Sequence, residues 1–137
     1  MTRRKYDCQY GCPVEATLDV IGGKWKCVIL FHLLDSTKRF SQLRRLLPDV
    51  TQRMLTLQLR ELEEDGVLVR TVYAQVPPRV EYKLSEFGQS LRPVLLLMRQ
   101  WGVDYMDQIL AQKARASAER ADSLEHGGSL MRGRLSV

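Results

Sequence analysis

The sequence predicts a mainly α-helical fold with a small β-wing, a winged helix-turn-helix, and three observations carry that prediction. Two short amphipathic stretches, one opening near Ser41 and stopped by Pro48 and one opening at Thr51, are separated by a turn of a few residues. Gly66 then ends the second stretch as a left-handed cap. Two β-rich runs, 67–72 and 80–84, follow immediately around a loop holding Pro77-Pro78.

Taken in order, the elements support this reading. Residues 1–11 carry Arg3, Arg4 and Lys5 followed by Tyr6 and Tyr10, and read as a solvated arm. Cys12-Pro13 opens a helix to about Ile21, because proline is favoured at the first helical position; that places Cys12 at the N-cap. Gly22-Gly23 breaks the chain. A second helix is expected over 24–34, where Trp25, Val28, Ile29, Phe31, Leu33 and Leu34 leave little polar surface and make it central to the core. Asp35-Ser36-Thr37 is a turn, and Lys38-Arg39 leads into the helix capped by Ser41, with Leu43, Leu46 and Leu47 as its apolar positions.

Thr51 caps the next helix, and Val50 with Leu55 forms a hydrophobic staple across its start. At its end Val67 folds back on Leu62 in a Schellman arrangement. In the wing, alternation places Val80, Tyr82 and Leu84 on one face and Glu81 and Lys83 on the other. Pro77 and Pro78 stiffen the tip, and Arg79 is expected to project beside them toward a phosphate or minor groove. Ser85 caps a last long helix that reaches about Gln112 with a kink at Pro93.

Along that last helix Leu91, Leu95, Met98, Gly102, Tyr105 and Ile109 recur at alternating spacings of four and three, an a/d-type seam. Leu97, Trp101, Met106 and Leu110 add apolar surface on another side. A small domain covers one such stripe, so one of the two is expected to pack on a second copy of the chain, with Leu91, Leu95, Met98, Trp101, Gly102, Tyr105 and Ile109 as the dimer interface. From 113 to 137 no sustained apolar period remains, and a frayed or disordered tail is expected, with the stretch AQKARASAERAD at 111–122 able to extend the helix for a few turns. The division is therefore an arm over 1–11, a winged domain with a dimerisation helix over 12–112, and a tail over 113–137.

The face of the helix after Thr51 points to a partner. At about 100° per residue, Leu55, Gln58, Leu59 and Leu62 fall on one side and look into the core. Gln52, Arg53, Thr56, Leu57 and Arg60 fall on the other, weighted to the N-terminal turns that reach base edges in a major groove. Glutamine pairs adenine, arginine pairs guanine, and an apolar side chain touches a thymine methyl. Glu61, Glu63, Glu64 and Asp65 are held back at the far end, away from phosphates. A merely solvated face is the alternative, against which stand the basic start, the acidic end and the wing behind. The DNA-binding set is thus Thr51, Gln52, Arg53, Thr56, Leu57, Arg60, Ser41 and Arg79.

Composition sets bounds on this. At 137 residues the chain suffices for one domain with a core, and its net charge of +5 favours an anionic partner. No apolar run is long enough to span a membrane, no signal peptide is evident, and the three cysteines are an odd number; together these imply reduced thiols in the cytoplasm. Helix N-termini favour thiolates, so Cys12 is a candidate sensor of oxidants or electrophiles, with Cys8 as a resolving partner. A half-buried, unreactive Cys12 is the competing reading. Cys27 lies in an apolar helix and reads as structural, and His32 reads as packing. Cys8, Cys12 and His32 lack a zinc spacing, so neither metal nor cofactor is expected.

The segments at 12–26 (CPVEATLDVIGGKWK), 51–70 (TQRMLTLQLRELEEDGVLVR), 76–88 (VPPRVEYKLSEFG) and 91–101 (LRPVLLLMRQW) together resemble the HxlR-type family of bacterial winged-helix regulators related to the MarR group. The resemblance runs from about Cys12 to Gln108. It implies a homodimeric transcription factor, dimeric through its N-terminal and last helices, in which Cys12 matches the family's N-terminal cysteine and can sense quinones, aldehydes or oxidants. Cys8, Cys27 and the basic tail depart from the family core.

The expected function is a sequence-specific regulator binding double-stranded DNA as a homodimer on a pseudo-palindrome, with half-sites about 34–36 Å apart, and responding to thiol-reactive stress through Cys12. A small ligand in an apolar cleft is the alternative effector. A winged-helix protein-interaction module without DNA binding is a further alternative. A thiol enzyme is disfavoured, because there is no CxxC pair.

Overall fold

In the computed structural model, which describes residues 11–132, the first helix starts where proline permits it: α1 spans Pro13–Ile21 with Cys12 at its N-cap. Expectations for the arm, Cys8 among them, lie outside the described residues apart from Gly11. Helix α2 spans Lys26–His32 and is shorter at both ends than expected. The Gly22-Gly23 break carries on through Lys24, whose ammonium sits 4.7 Å from the centre of the Trp25 ring, and Trp25 itself takes the N-cap. At the other end Leu34 N–H turns to Phe31 O at 3.2 Å, a tighter closure that folds Leu33 and Leu34 into the core.

Residues Lys38–Arg39 form a short strand, β1, not expected from the sequence. It pairs antiparallel with β3, Lys38 opposite Tyr82 and Arg39 opposite Glu81. The wing strands β2, Leu68–Tyr73, and β3, Arg79–Leu84, pair from Leu68 opposite Leu84 to Tyr73 opposite Arg79. The sheet order is β1-β3-β2, so β3 is central, and its Tyr82 and Leu84 point into the core as the alternation requires.

The extended Arg39 also moves the start of the next helix. Helix α3 spans Phe40–Leu46, with Arg39 as N-cap and its N–H donating to Gln42 Oε1 at 2.8 Å. Ser41 lies inside the first turn and is not the cap. Leu43 and Leu47 are buried, whereas Leu46 stays 44% exposed and faces away from the core. Helix α4 spans Gln52–Glu64, and Thr51 Oγ1 accepts from Met54 N–H at 3.1 Å. Its exit is a full Schellman motif: Gly66, at φ 77°, donates to Glu63 O at 3.0 Å, and Val67 donates to Leu62 O at 3.2 Å.

Leu55, Leu59 and Leu62 of α4 meet Ile29, Leu30 and Leu33 of the α2 region and Leu43 of α3 in one buried cluster. Each such leucine contributes about 1.5–3 kcal/mol by leaving water. One ion pair joins the same helices: Lys26, 7% exposed, meets Glu61 Oε2 at 2.6 Å.

Ser85 caps as expected, accepting from Gly88 N–H at 3.0 Å, but the helix it caps is short: α5 spans Glu86–Gln89. Ser85 Oγ also donates to Gly66 O at 2.5 Å, which ties α5 to the end of α4. A Cβ at Gly88 would lie 2.0 Å from Val67 O, so only glycine lets α5 approach that strand entry. After a turn, α6 spans Arg92–Arg132. The expected kink at Pro93 is corrected to a break before it. Pro93 is the second residue of α6, in the first turn, where a missing N–H costs nothing. Arg92 fixes this start by donating to Leu34 O at 2.6 Å.

Helix α6 continues well past Gln112, as far as Arg132 and so into the span where a frayed or disordered tail is expected. Its alanine, arginine, glutamate and lysine residues are good helix formers, and propensity alone sustains helix where no apolar period exists. By contact density the chain divides between Leu97 and Met98 into two units. In the first, Leu95 is 2% exposed and Leu91 packs against the core. Both were expected at a dimer contact and instead close the core of their own chain. None of the helices among the described residues is long and apolar enough to cross a membrane.

Candidate nucleic-acid interface

With Leu55, Leu59 and Leu62 turned inward, α4 presents its other face to solvent. Gln52, Arg53, Thr56, Leu57 and Arg60 line a single open concavity of about 630 Å³ there. All five are exposed, and five of the eight residues expected to touch DNA are thereby gathered on one surface. Thr51 stands at its edge with its hydroxyl used in capping. Thr56 Oγ1 donates to Gln52 O at 2.8 Å, so the threonine offers its methyl group and lone pairs to a partner.

Ser41 and Arg79 are brought together elsewhere. They line a separate depression of about 440 Å³ with Arg39, Phe40, Gln75 and the tip prolines. Arg79 does not project from the tip. It begins β3, so its side chain lies along the sheet face beside its cross-strand partner Tyr73 and its same-face neighbour Glu81. The guanidinium sits 4.2 Å from the centre of the Tyr73 ring, and Nε is 3.2 Å from Glu81 Oε1. This holds the cation in place and partly neutralises it.

The sequence reading missed Arg44. It lies in the last turn of α3, and its Nη1 donates to Gln52 Oε1 at 2.9 Å. No helical period relates these positions; only the tight turn between α3 and α4 brings them together. Arg70 of β2 was also missed. It joins Thr56, Arg60, Glu63 and Tyr82 around a hollow of about 260 Å³, so basic surface continues from α4 onto the wing.

Cys12 is exposed at the N-cap of α1. Cys27 is half-buried, its Sγ 3.2 Å from Ile21 O, and burial pushes its thiol above the ordinary 9.0. His32 packs edge-on to Phe31 at 6.0 Å, and burial, with Lys38 nearby, lowers its pKa below the usual 6.5. Along α6, Met98, Trp101 and Tyr105 are exposed, and Gly102 and Ile109 are half-buried. Trp101 is 60% exposed and Leu97 70%. The Trp101 and Tyr105 rings lie 5.2 Å apart.

Comparison with known proteins agrees with this geometry. Residues 20–110 match the family model described as HxlR-like helix-turn-helix. The chain is 57% identical to the uncharacterised HTH-type transcriptional regulator YdeP of Bacillus subtilis, over 87% of this chain and 98% of that protein. Among solved structures it is similar to the redox regulator HypR in its reduced form, at 57% identity, a TM-score of 0.70, and coverage of 73% of this chain and 99% of that one. The oxidised form of HypR matches at 61% identity with a TM-score of 0.66, covering 68% of this chain and 96% of that one. The recognition-helix geometry, the wing and these likenesses together place the chain in the HxlR-like helix-turn-helix family, as a transcriptional regulator of the HxlR/MarR type.

Proposed function

We propose that this chain is a cytoplasmic, non-enzymatic repressor or activator that binds a pseudo-palindromic operator as a homodimer and releases or remodels it when Cys12 is oxidised or alkylated. The observation that carries the reading is the α4 face, where Gln52, Arg53, Thr56, Leu57 and Arg60 converge on one exposed concavity weighted to the helix's N-terminal turns. An α-helix enters a major groove by those turns, and these side chains supply hydrogen-bond donors and an apolar contact for base edges. The exposed aromatic and apolar side chains of α6 support a second copy as the dimer partner. The exposure of Cys12 supports thiol sensing, as does the likeness to a protein solved as a redox regulator in both states.

A mobility-shift assay on the DNA upstream of the protein's own gene tests the reading. The parent chain should retard that fragment, Arg53→Ala should weaken the shift by at least tenfold, and diamide should change the parent's shift but not that of Cys12→Ser. An unaltered shift with diamide, shared by parent and Cys12→Ser, removes the sensing role. Equal retardation of every duplex at moderate salt removes sequence-specific binding.

A further inference from the structure

We propose that Arg44 sets which base Gln52 reads, by occupying its side-chain oxygen so that the glutamine meets DNA as a donor. The inference rests on the α4 face being the DNA-reading surface. Arg44 Nη1 lies 2.9 Å from Gln52 Oε1. Arginine carries donors only, so the oxygen and not the nitrogen of the amide must face it. The amide NH₂ is thereby directed away from Arg44. A free glutamine pairs adenine by accepting from N6 while donating to N7. Here an adenine amino group seeking Oε1 would have to enter beside a guanidinium already donating to the same atom. Guanine presents two acceptors, N7 and O6, on that edge, and these match an amide that offers N–H groups alongside an arginine. The pair therefore selects guanine over adenine where an isolated glutamine would select adenine.

Arg44 and Gln52 are both exposed, so their removal leaves the core intact. A pool of randomised duplexes is enriched separately on the parent, Gln52→Ala and Arg44→Ala proteins. The position whose preference disappears with Gln52→Ala is the one Gln52 reads. There the parent should favour guanine over adenine by about tenfold, the scale of one good base contact, and Arg44→Ala should shift the preference to adenine while the rest of the site is unchanged. Enrichment of adenine by the parent at that position overturns the proposal. So does an Arg44→Ala protein that keeps guanine and binds every duplex more weakly by one factor, which would make Arg44 a phosphate ligand. A parent that enriches no sequence at all defeats the DNA-reading function itself, a result distinct from either of these.

Discussion

Lys26 is the residue whose surroundings depart furthest from what its chemistry suggests, since a lysine at the start of an apolar helix is expected to reach water. Its carboxylate partner, Glu61, is one of the acidic residues at the far end of α4, and it neutralises this ammonium at the edge of the core. Glu61→Gln removes the anion and leaves an almost buried ammonium with a weaker acceptor. Because the Glu61 side chain keeps 31% exposure, water offsets part of the loss, and a destabilisation of about 2 kcal/mol is expected. Urea denaturation should show a lower midpoint at unchanged slope; an unchanged midpoint makes the pair irrelevant to stability. His32 supplies a pH effect of known sign. Its folded pKa lies below 6.5, so the unfolded chain takes up a proton first as pH falls. Stability from this group is complete above about pH 6.5 and declines as pH drops below it toward the folded value. His32→Gln should flatten that part of the stability–pH curve, measured as melting temperature between pH 7.5 and 5.5.

At the scale of elements, what the sequence revealed was whatever local chemistry dictates. The Cys12-Pro13 start, the Thr51 cap, the Gly66 exit and the alternation of Tyr82 and Leu84 are each written within a few neighbouring residues, and each stands as expected. Features built by distant pairing were hidden. Strand β1 exists because β3 offers it a partner, and two residues carry no period of their own. The shift of the α3 start follows from that pairing, the laid-down Arg79 from the pairing of β2 with β3, and the Arg44–Gln52 bond from the turn between α3 and α4. The candidate site was legible because a helical face obeys a fixed period; which of its atoms are already engaged was not. The length of α6 is the clearest case in the opposite direction: an extension of a few turns is legible in AQKARASAERAD, but reading helix from apolar period alone overlooks how far beyond it propensity can hold the helix. Deleting residues 113–137 should therefore remove a large share of the ellipticity at 222 nm while leaving the urea midpoint of the winged unit unchanged. A truncated chain of undiminished helical signal per molecule would show that this stretch is not helical in solution.

For the whole molecule, the decisive quantity is how many phosphates the protein neutralises at once, because each neutralised phosphate releases counterions and steepens the salt dependence of binding. A single copy offers one α4 face, and a symmetric pair offers two identical ones. If Arg60 neutralises one phosphate per face, Arg60→Ala should lower the slope of log K against log salt by about 0.9 for a monomer and by about 1.8 for a two-fold dimer. The exposed rings and aliphatic chains of α6 argue for the larger number, since apolar surface of this kind on a helix calls for a partner. Charging that surface with Trp101→Arg should shift the parent from dimer to monomer in sedimentation without lowering its melting temperature by more than the loss of the partner accounts for. In that background Arg60→Ala should cost only the smaller slope change, and overall affinity should fall because two half-sites no longer bind as one unit. A slope change near 0.9 in the parent chain, or Trp101→Arg sedimenting as the parent does, would remove α6 from the dimer contact and leave each recognition helix to act alone.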